Sequence, residues 1–186
     1  MKERITEAAS RLFVRKGYYQ TSMDDVAREA GIAKGSLYYH FKNKSQLFCE
    51  TVTEGIRFFE KETDSIVSGN RNPQKIAESM VALLVGLYTD NENIADIVMS
   101  ETSAGIDEDV VSEIREAKNH FIAKIASVID EGIADGSVRS CSSMSAAYAM
   151  ISYIYTFCRS VRRSGRFEKN AVTEQITVLL LRGMLK

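Results

Sequence analysis

Apolar residues recur along the chain with the spacing of amphipathic helices, three to four residues apart almost from end to end. No convincing strand pattern interrupts this period, so the fold class is predicted to be all-α. The short loops favour antiparallel helices packed as a bundle. Nine helices are expected: one that ends before Gly17, followed by helices at about 23–30, 35–41, 44–67, 73–89, 92–103, 107–134, 143–163 and 169–185.

The first of the short helices has clear start and stop signals. Ser22 followed by Asp25 is close to a capping box, in which two residues at the start of a helix bond to each other's backbone. Gly31 is a typical helix end, and a tight turn from there to Lys34 leads into the next short helix. Two short helices, a tight turn and a longer bracing helix predict a helix-turn-helix over about 22–41.

Charge is unevenly distributed along the 186 residues. The whole chain has 24 lysine and arginine residues against 25 acidic ones, for a net charge of −1. Residues 1–50 contain nine of these basic residues and six acidic ones, a net charge of +3, and the rest of the chain carries −4. A nucleic-acid partner would therefore bind the N-terminal part, where the positive charge is local.

Several classes of site are disfavoured by what the chain contains. Its cysteines (Cys49, Cys141 and Cys158) and histidines (His40 and His120) are few and scattered, so we expect no metal site and no disulfide framework. A redox role for one of the cysteines stays open. No paired-carboxylate, Cys–His or phosphate-loop pattern indicates a catalytic site or a cofactor.

No run reaches the ~20 apolar residues of a membrane span, so a cytoplasmic protein is expected.

The second short helix has the residue pattern of a recognition helix. Leu37 and Phe41 are four apart and face inward on one side of the helix. Lys44 follows shortly after and is able to neutralise a phosphate. The outward residues are donors, a small residue and flat rings that suit phosphates and base edges, namely Lys34, Gly35, Ser36, Tyr38, Tyr39 and His40.

The sequence of this segment is specific enough to show a family resemblance. Residues 17–48, and above all the string Leu-Tyr-Tyr-His-Phe-Lys-Asn-Lys at 37–44, resemble the tetracycline-repressor-type (TetR/AcrR) transcriptional regulators. The close match covers about residues 3–50. Beyond it only the length and the number of helices agree.

The resemblance implies that the helix-turn-helix binds DNA. Tyr38 would face bases, while Tyr39, His40 and Lys44 would contact phosphates. The full set of implied DNA-binding residues is Thr21, Ser22, Lys34, Gly35, Ser36, Tyr38, Tyr39, His40 and Lys44.

One position departs from the family pattern. Members often carry two hydroxyl residues where this chain has Ser22 and Met23, so Thr21 is the alternative second hydroxyl.

The resemblance also implies two domains: a DNA-binding domain at 1–48 and a ligand-binding and dimerisation domain at 49–186.

The C-terminal helices are rich in apolar residues that allow more than one interpretation. They form a bundle core, and part of them is also predicted to line a pocket for a lipophilic or aromatic ligand. The candidate lining residues are Met80, Leu84, Met99, Phe121, Ile125 and Tyr153.

The last two helices carry more apolar surface than a monomer needs. Helices 143–163 and 169–185 are therefore predicted to form a four-helix interface between two copies, and the resemblance implies the same homodimer. Binding to a membrane surface is disfavoured because the polar face of the last helix is not rich in lysine and arginine.

These features lead to one functional hypothesis and one alternative. The hypothesis is a ligand-responsive DNA-binding repressor that a small lipophilic or aromatic effector releases from a palindromic operator of double-stranded DNA. The alternative is a helical adaptor or small-molecule-binding protein without DNA regulation.

Overall fold

The structure of the protein is a computed structural model that describes residues 1–100, 106–165 and 168–184. Within these ranges the chain forms nine α-helices and no strand, which confirms the predicted fold class. They are α1 (Lys2–Lys16), α2 (Met23–Ala30), α3 (Lys34–His40), α4 (Lys44–Gly69), α5 (Pro73–Asp90), α6 (Glu92–Ser100), α7 (Glu108–Ala134), α8 (Ser143–Arg163) and α9 (Lys169–Met184).

The helix ends differ from the predicted ones by a few residues. Helix α3 begins one residue earlier than expected, at Lys34, and Phe41 is its C-cap with an extended backbone. Helix α4 continues two residues further, to Gly69. Of the predicted helix 92–103 the last three residues lie outside the described part of the chain, as does residue 185.

The chain divides into two compact units, and two of the boundaries between them fall inside helices. The first contains Met1–Arg57 and Asn91–Lys118, and the second contains Phe58–Asp90 and Asn119–Lys186. Helices α4 and α7 therefore each contribute residues to both units. The predicted functional boundary at residue 48 lies inside α4 and remains a prediction.

The first unit is built around a cluster of aromatic rings. The ring of Phe48 lies 5.2 Å from that of Phe13 and 4.9 Å from that of Tyr18, centroid to centroid, in edge-to-face geometry. Such pairs add to the free energy of burying the rings. Residues from α6 and α7 also belong to this unit: the Asn93 side chain donates to the carbonyl of Val14 at the end of α1.

In the second unit α5 packs against α8 and α9. Its last turn is held from both partners, because the Arg162 guanidinium donates to the Thr89 carbonyl and the Lys169 ammonium lies 2.8 Å from the Asp90 carboxylate. Cations near a helix C-terminus are favourably placed relative to its dipole. Among the described helices, none combines the length and the apolar character needed to cross a membrane.

Candidate nucleic-acid interface and ligand cavity

The N-terminus of α2 is fixed by the predicted capping box. The Asp25 backbone N–H donates to the Ser22 hydroxyl oxygen at 3.1 Å, and the Ser22 backbone N–H donates to the Asp25 carboxylate at 3.3 Å. Helix α2 ends at Gly31, whose φ of 62° lies in the left-handed region that favours glycine. Local interactions thus define both ends of α2, and Gly31 begins the turn to α3.

Helix α3 presents most of its surface outward. Leu37 is fully buried and Phe41 is 2% exposed, whereas Tyr38 and Tyr39 are 43% and 86% exposed. The Tyr39 ring packs edge-to-face on that of His40, with 5.2 Å between centroids. The outward face predicted from the sequence is therefore present, with two large rings available to a partner.

A shallow groove of about 410 Å³ lies in front of α3. It is lined by the turn before α2, the start of α2 and parts of α3 and α4. Its residues are Tyr19, Gln20, Thr21, Ser22, Met23, Asp24, Lys34, Tyr38 and Lys44. Five of the nine predicted DNA-binding residues thus line one surface.

The two lysines of this groove already have partners within the protein. The Lys34 ammonium lies 2.7 Å from the Asp24 carboxylate. The Lys44 ammonium donates to the Tyr18 carbonyl at 2.9 Å and lies 4.2 Å from the centroid of the Tyr18 ring. Partial burial lowers the pKa of Lys44. Lys44 therefore links the start of α4 to the turn that carries Tyr19.

The predicted hydroxyl contacts are also engaged internally. Thr21 is 2% exposed and its hydroxyl donates to the Gly17 carbonyl at 2.8 Å. The Ser22 hydroxyl oxygen serves the capping box, although the side chain is exposed. Gly35 and Ser36 are exposed on α3, and a Cβ added at Gly35 would meet nothing within 4 Å.

Four residues of the groove are not among the predicted DNA-binding residues, namely Tyr19, Gln20, Met23 and Asp24. Tyr19 is 53% exposed, and its ring packs edge-to-face on the buried Tyr18 ring at 5.3 Å. Asp24 is the partner of Lys34. Their position is the only sequence signal for Tyr19 and Asp24: Tyr19 lies shortly before α2, and Asp24 lies in its first turn.

The start of α4 is tied to the start of α7 within the same unit. The hydroxyls of Tyr18 and Ser45 are 3.0 Å apart, and the Asn43 amide donates to the Asp107 carboxylate at 3.1 Å. Burial raises the pKa of the Tyr18 phenol, so the hydroxyl stays protonated in this network. Tyr18, which holds Lys44, is thereby itself held in place.

The second unit contains a cavity of about 370 Å³ with an apolar interior. Its apolar walls come from the end of α4, the start of α5, the end of α7, the loop after α7 and one residue of α8: Val67, Pro73, Ile76, Ala77, Met80, Ile125, Val128, Ile129, Val138 and Met150. Polar groups also line it, namely Asn70, Arg71, Glu131, Asp135 and Ser137.

Two of the six predicted pocket residues, Met80 and Ile125, line this cavity. Leu84 and Phe121 are buried in the second unit but do not line it. The Tyr153 ring stacks on Phe157 at 5.6 Å instead. Met99 belongs to the first unit. An apolar helical period marks buried positions, but it does not distinguish a packed core from a cavity wall.

The predicted dimer helices expose apolar side chains. Met144 and Tyr148 of α8 are 41% and 46% exposed, and Val178 and Leu179 of α9 are 42% and 59% exposed. The side chains after residue 180 lie outside the described part of the chain.

Within the described residues, no group of three or more histidine, cysteine or acidic side chains is placed to hold a metal ion.

Comparison with known families accounts for both parts of the chain. The family described as "Bacterial regulatory proteins, tetR family" matches residues 5–51, and the one described as "Tetracyclin repressor-like, C-terminal domain" matches residues 71–184. The chain belongs to the TetR family. This TetR-family protein is accordingly a helix-turn-helix transcriptional regulator with a tetracycline-repressor-like C-terminal domain.

Individual relatives span nearly the whole chain. YhgD, an uncharacterized HTH-type transcriptional regulator of Bacillus subtilis, is 23% identical over 98% of this chain and 96% of its own. The HTH-type transcriptional repressor KstR2 of Mycolicibacterium smegmatis is 25% identical over 98% and 90%. The crystal structure of FadR from Bacillus subtilis in complex with stearoyl-CoA superposes with a TM-score of 0.81 at 19% identity, covering 98% of this chain and 99% of that one.

The capping box predicts a pH-dependent contribution to stability. Hydrogen bonding to the side chain and backbone of Ser22 lowers the pKa of Asp25 below its ordinary 3.8. A carboxyl whose pKa is lower in the folded state stabilises the protein above its unfolded pKa, and this stabilisation is lost as the pH falls through the folded value. We expect Asp25→Asn to lower Tm at pH 7, and the difference from wild type to shrink below about pH 4.

Thermal unfolding followed by circular dichroism between pH 7 and pH 3 measures this difference. In a Ser22→Ala background the pH-dependent part should be smaller, since Ser22 is the main partner of the carboxylate. A Tm difference that stays constant across this range would contradict the account.

Proposed function

We propose that this TetR-family regulator is a dimeric repressor that reads a palindromic operator with α3 and leaves it when a small lipophilic molecule with a polar end group binds. The observation that supports this most directly is the orientation of α3, which buries Leu37 and exposes Tyr38 and Tyr39. A recognition helix requires this division between an anchored face and a face open to the major groove.

The exposed residues divide by the DNA groups they suit. Tyr38 lies on the groove beside Lys34, where α3 begins, and is proposed to face base edges. Tyr39 and His40 lie on the outward side further along α3 and are proposed to contact phosphates. The Lys44 ammonium has three N–H donors, of which the contact with Tyr18 uses one, so it is able to add a phosphate contact without leaving its place.

The exposed apolar side chains of α8 and α9 support the proposed dimer. Pairing these helices with their copies across a two-fold axis would cover them in an isologous interface. Two symmetric recognition helices require an operator with two inverted half-sites, with centres roughly 34–36 Å apart or a multiple of one helical turn. The repressor KstR2, which matches nearly the full length of the chain, is consistent with repression.

The cavity of the second unit is the proposed effector site. Its aliphatic walls suit an apolar body, and its polar residues (Asn70, Arg71, Glu131, Asp135 and Ser137) suit a polar end group. The FadR structure holds stearoyl-CoA, an amphipathic molecule with an apolar chain. We infer that the effector of this protein is amphipathic in the same general sense.

A helix common to both units offers a route for release. The end of α4 supplies Val67 to the cavity wall, and its start carries Lys44 and Ser45, which contact Tyr18. An effector that shifts α4 would change the contacts of Lys44 and Ser45 with Tyr18 and thereby the position of the helix-turn-helix. A coupling free energy of about 1–3 kcal/mol weakens operator binding about 5–150-fold.

Replacing the two exposed tyrosines separates base from phosphate contacts. Tyr38→Ala is expected to weaken binding to a duplex selected by the wild-type protein from a random pool about 5–150-fold, and to leave a scrambled duplex nearly unaffected. Tyr39→Ala is expected to weaken binding to both duplexes by a similar factor, because phosphates are present in every sequence.

Fluorescence anisotropy with labelled duplexes measures both effects, and light scattering checks that each variant remains a dimer. Phe58→Ala is the matched control, since Phe58 is an exposed ring (56%) of the second unit. The proposal fails if both tyrosine variants bind the selected duplex as tightly as the wild type.

Filling the cavity tests the effector site. Ala77 on α5 lines the cavity, so Ala77→Phe is expected to leave operator affinity unchanged and to raise the effector concentration needed for release at least about tenfold. Ala123→Phe, at an exposed position of α7, is the control and should respond as the wild type does.

Dodecanoic acid and dodecanoyl-CoA serve as probes, and release is read as the loss of anisotropy of the bound duplex. Release of Ala77→Phe at wild-type concentrations would place the effector elsewhere. If neither probe releases the wild-type protein, the proposed amphipathic class is wrong.

A further inference from the structure

An ion pair lies directly on the proposed DNA-facing surface. The Lys34 ammonium is 2.7 Å from one oxygen of the Asp24 carboxylate and 3.0 Å from the other. Asp24 is the second residue of α2 and Lys34 is the first residue of α3, so the pair bridges the turn of the helix-turn-helix. The same ammonium lies 5.9 Å from the centroid of the Tyr38 ring, on the side of the groove where bases are proposed to bind.

The Lys34–Asp24 ion pair contributes little to the stability of the fold. The side chains of Lys34 and Asp24 are 61% and 57% exposed, and exposed pairs contribute little to stability because water screens them. The turn itself is defined by Gly31 in the left-handed region and by backbone hydrogen bonds from Gly31 N–H to the Arg28 carbonyl and from Ile32 N–H to the Ala27 carbonyl. Asp24 also lies in the first turn of α2, where a negative charge is favourably placed relative to the helix dipole, but this placement does not require its pairing with Lys34.

Asp24 is unusual because it is an anion in a surface that receives an anion. Among the residues that line the groove, all of them in the described part of the chain, it carries the only carboxylate. The neighbouring Asp25 belongs to the capping box and to ion pairs with Lys16 and Arg28. The charged groups that face a bound duplex here are thus Lys34, Lys44 and Asp24.

The effect of Asp24 depends on how closely the duplex docks. In a loosely docked complex with any sequence, affinity comes from neutralising phosphates, and a lysine that is already paired with a carboxylate contributes less to it. In a complex with the right sequence, α3 is seated in the major groove, where an oriented lysine reads guanine O6 and N7. A carboxylate that holds the lysine in one position therefore weakens the loosely docked complex more than the complex with the right sequence.

We propose that Asp24 is a specificity-determining residue, which holds Lys34 toward the base-reading side of the groove and weakens binding to DNA of unrelated sequence. This inference depends on the proposed function, in which α3 reads the operator.

The test compares Asp24→Asn with the wild-type protein as full-length dimers. Anisotropy is measured with the selected duplex and with a scrambled duplex of the same composition, over a series of salt concentrations. Asp24→Asn is expected to bind the scrambled duplex about three- to tenfold more tightly and to steepen its salt dependence by about 0.9, the value of one added phosphate contact. Affinity for the selected duplex should change less than about twofold, so that the ratio of the two affinities falls.

Two further variants show whether the effect is local and acts through Lys34. Asp64→Asn is the matched control: Asp64 is a 63% exposed carboxylate of the second unit, paired with Lys124, and its change alters the net charge equally. It should leave the ratio unchanged. In a Lys34→Gln background, Asp24→Asn should raise scrambled-duplex affinity by less than half as much, on a logarithmic scale, as it does in the wild type.

The inference is overturned if Asp24→Asn and Asp64→Asn give the same affinity ratio, or if the gain persists without Lys34. A wild-type protein that discriminates between duplexes while Asp24→Asn behaves identically overturns the role of Asp24 alone. A wild-type protein that binds no duplex at all would contradict the proposed function as well.

Discussion

The burial of two side chains, Leu37 and Phe41, is the constraint on which the proposed DNA-facing surface depends. Leu37 lies within α3 and Phe41 is its C-cap, four residues or about one helical turn further on, and both are buried. Each contributes about 1.5–3 kcal/mol by leaving water. Because both are anchored in the core of the first unit, the residues between them have to point outward. The exposed rings of Tyr38 and Tyr39 are the direct result.

Support for this arrangement comes from segments that are distant in sequence. The aromatic cluster of Phe13, Tyr18 and Phe48 packs beneath the motif, and Lys44 rests on the Tyr18 ring. Asp107, at the start of α7, bonds to the Asn43 side chain just before α4. The recognition surface is therefore supported by parts of the chain well beyond the three N-terminal helices.

Local features of the fold were predictable, and long-range ones were not. The capping box of Ser22, the helix end at Gly31 and the inward position of Leu37 follow from neighbouring residues, and all three are present in the structure. The contacts of Lys34 with Asp24 and of Lys44 with Tyr18 were not foreseen, because they join residues 10 and 26 positions apart. The cavity was located only in part, since its walls come from four helices whose apolar patterns resemble those of a solid core.

The central claim is that the outward face of α3 enters the major groove, once from each protomer. Site-specific photo-cross-linking tests it directly: benzoylphenylalanine replaces Tyr38 in one preparation and Phe58 in another, and each is irradiated on an end-labelled duplex selected by the wild-type protein. The account predicts cross-links from position 38 to bases at two symmetric places in the duplex, and none from position 58. Cross-links from position 58 with none from position 38 would contradict it.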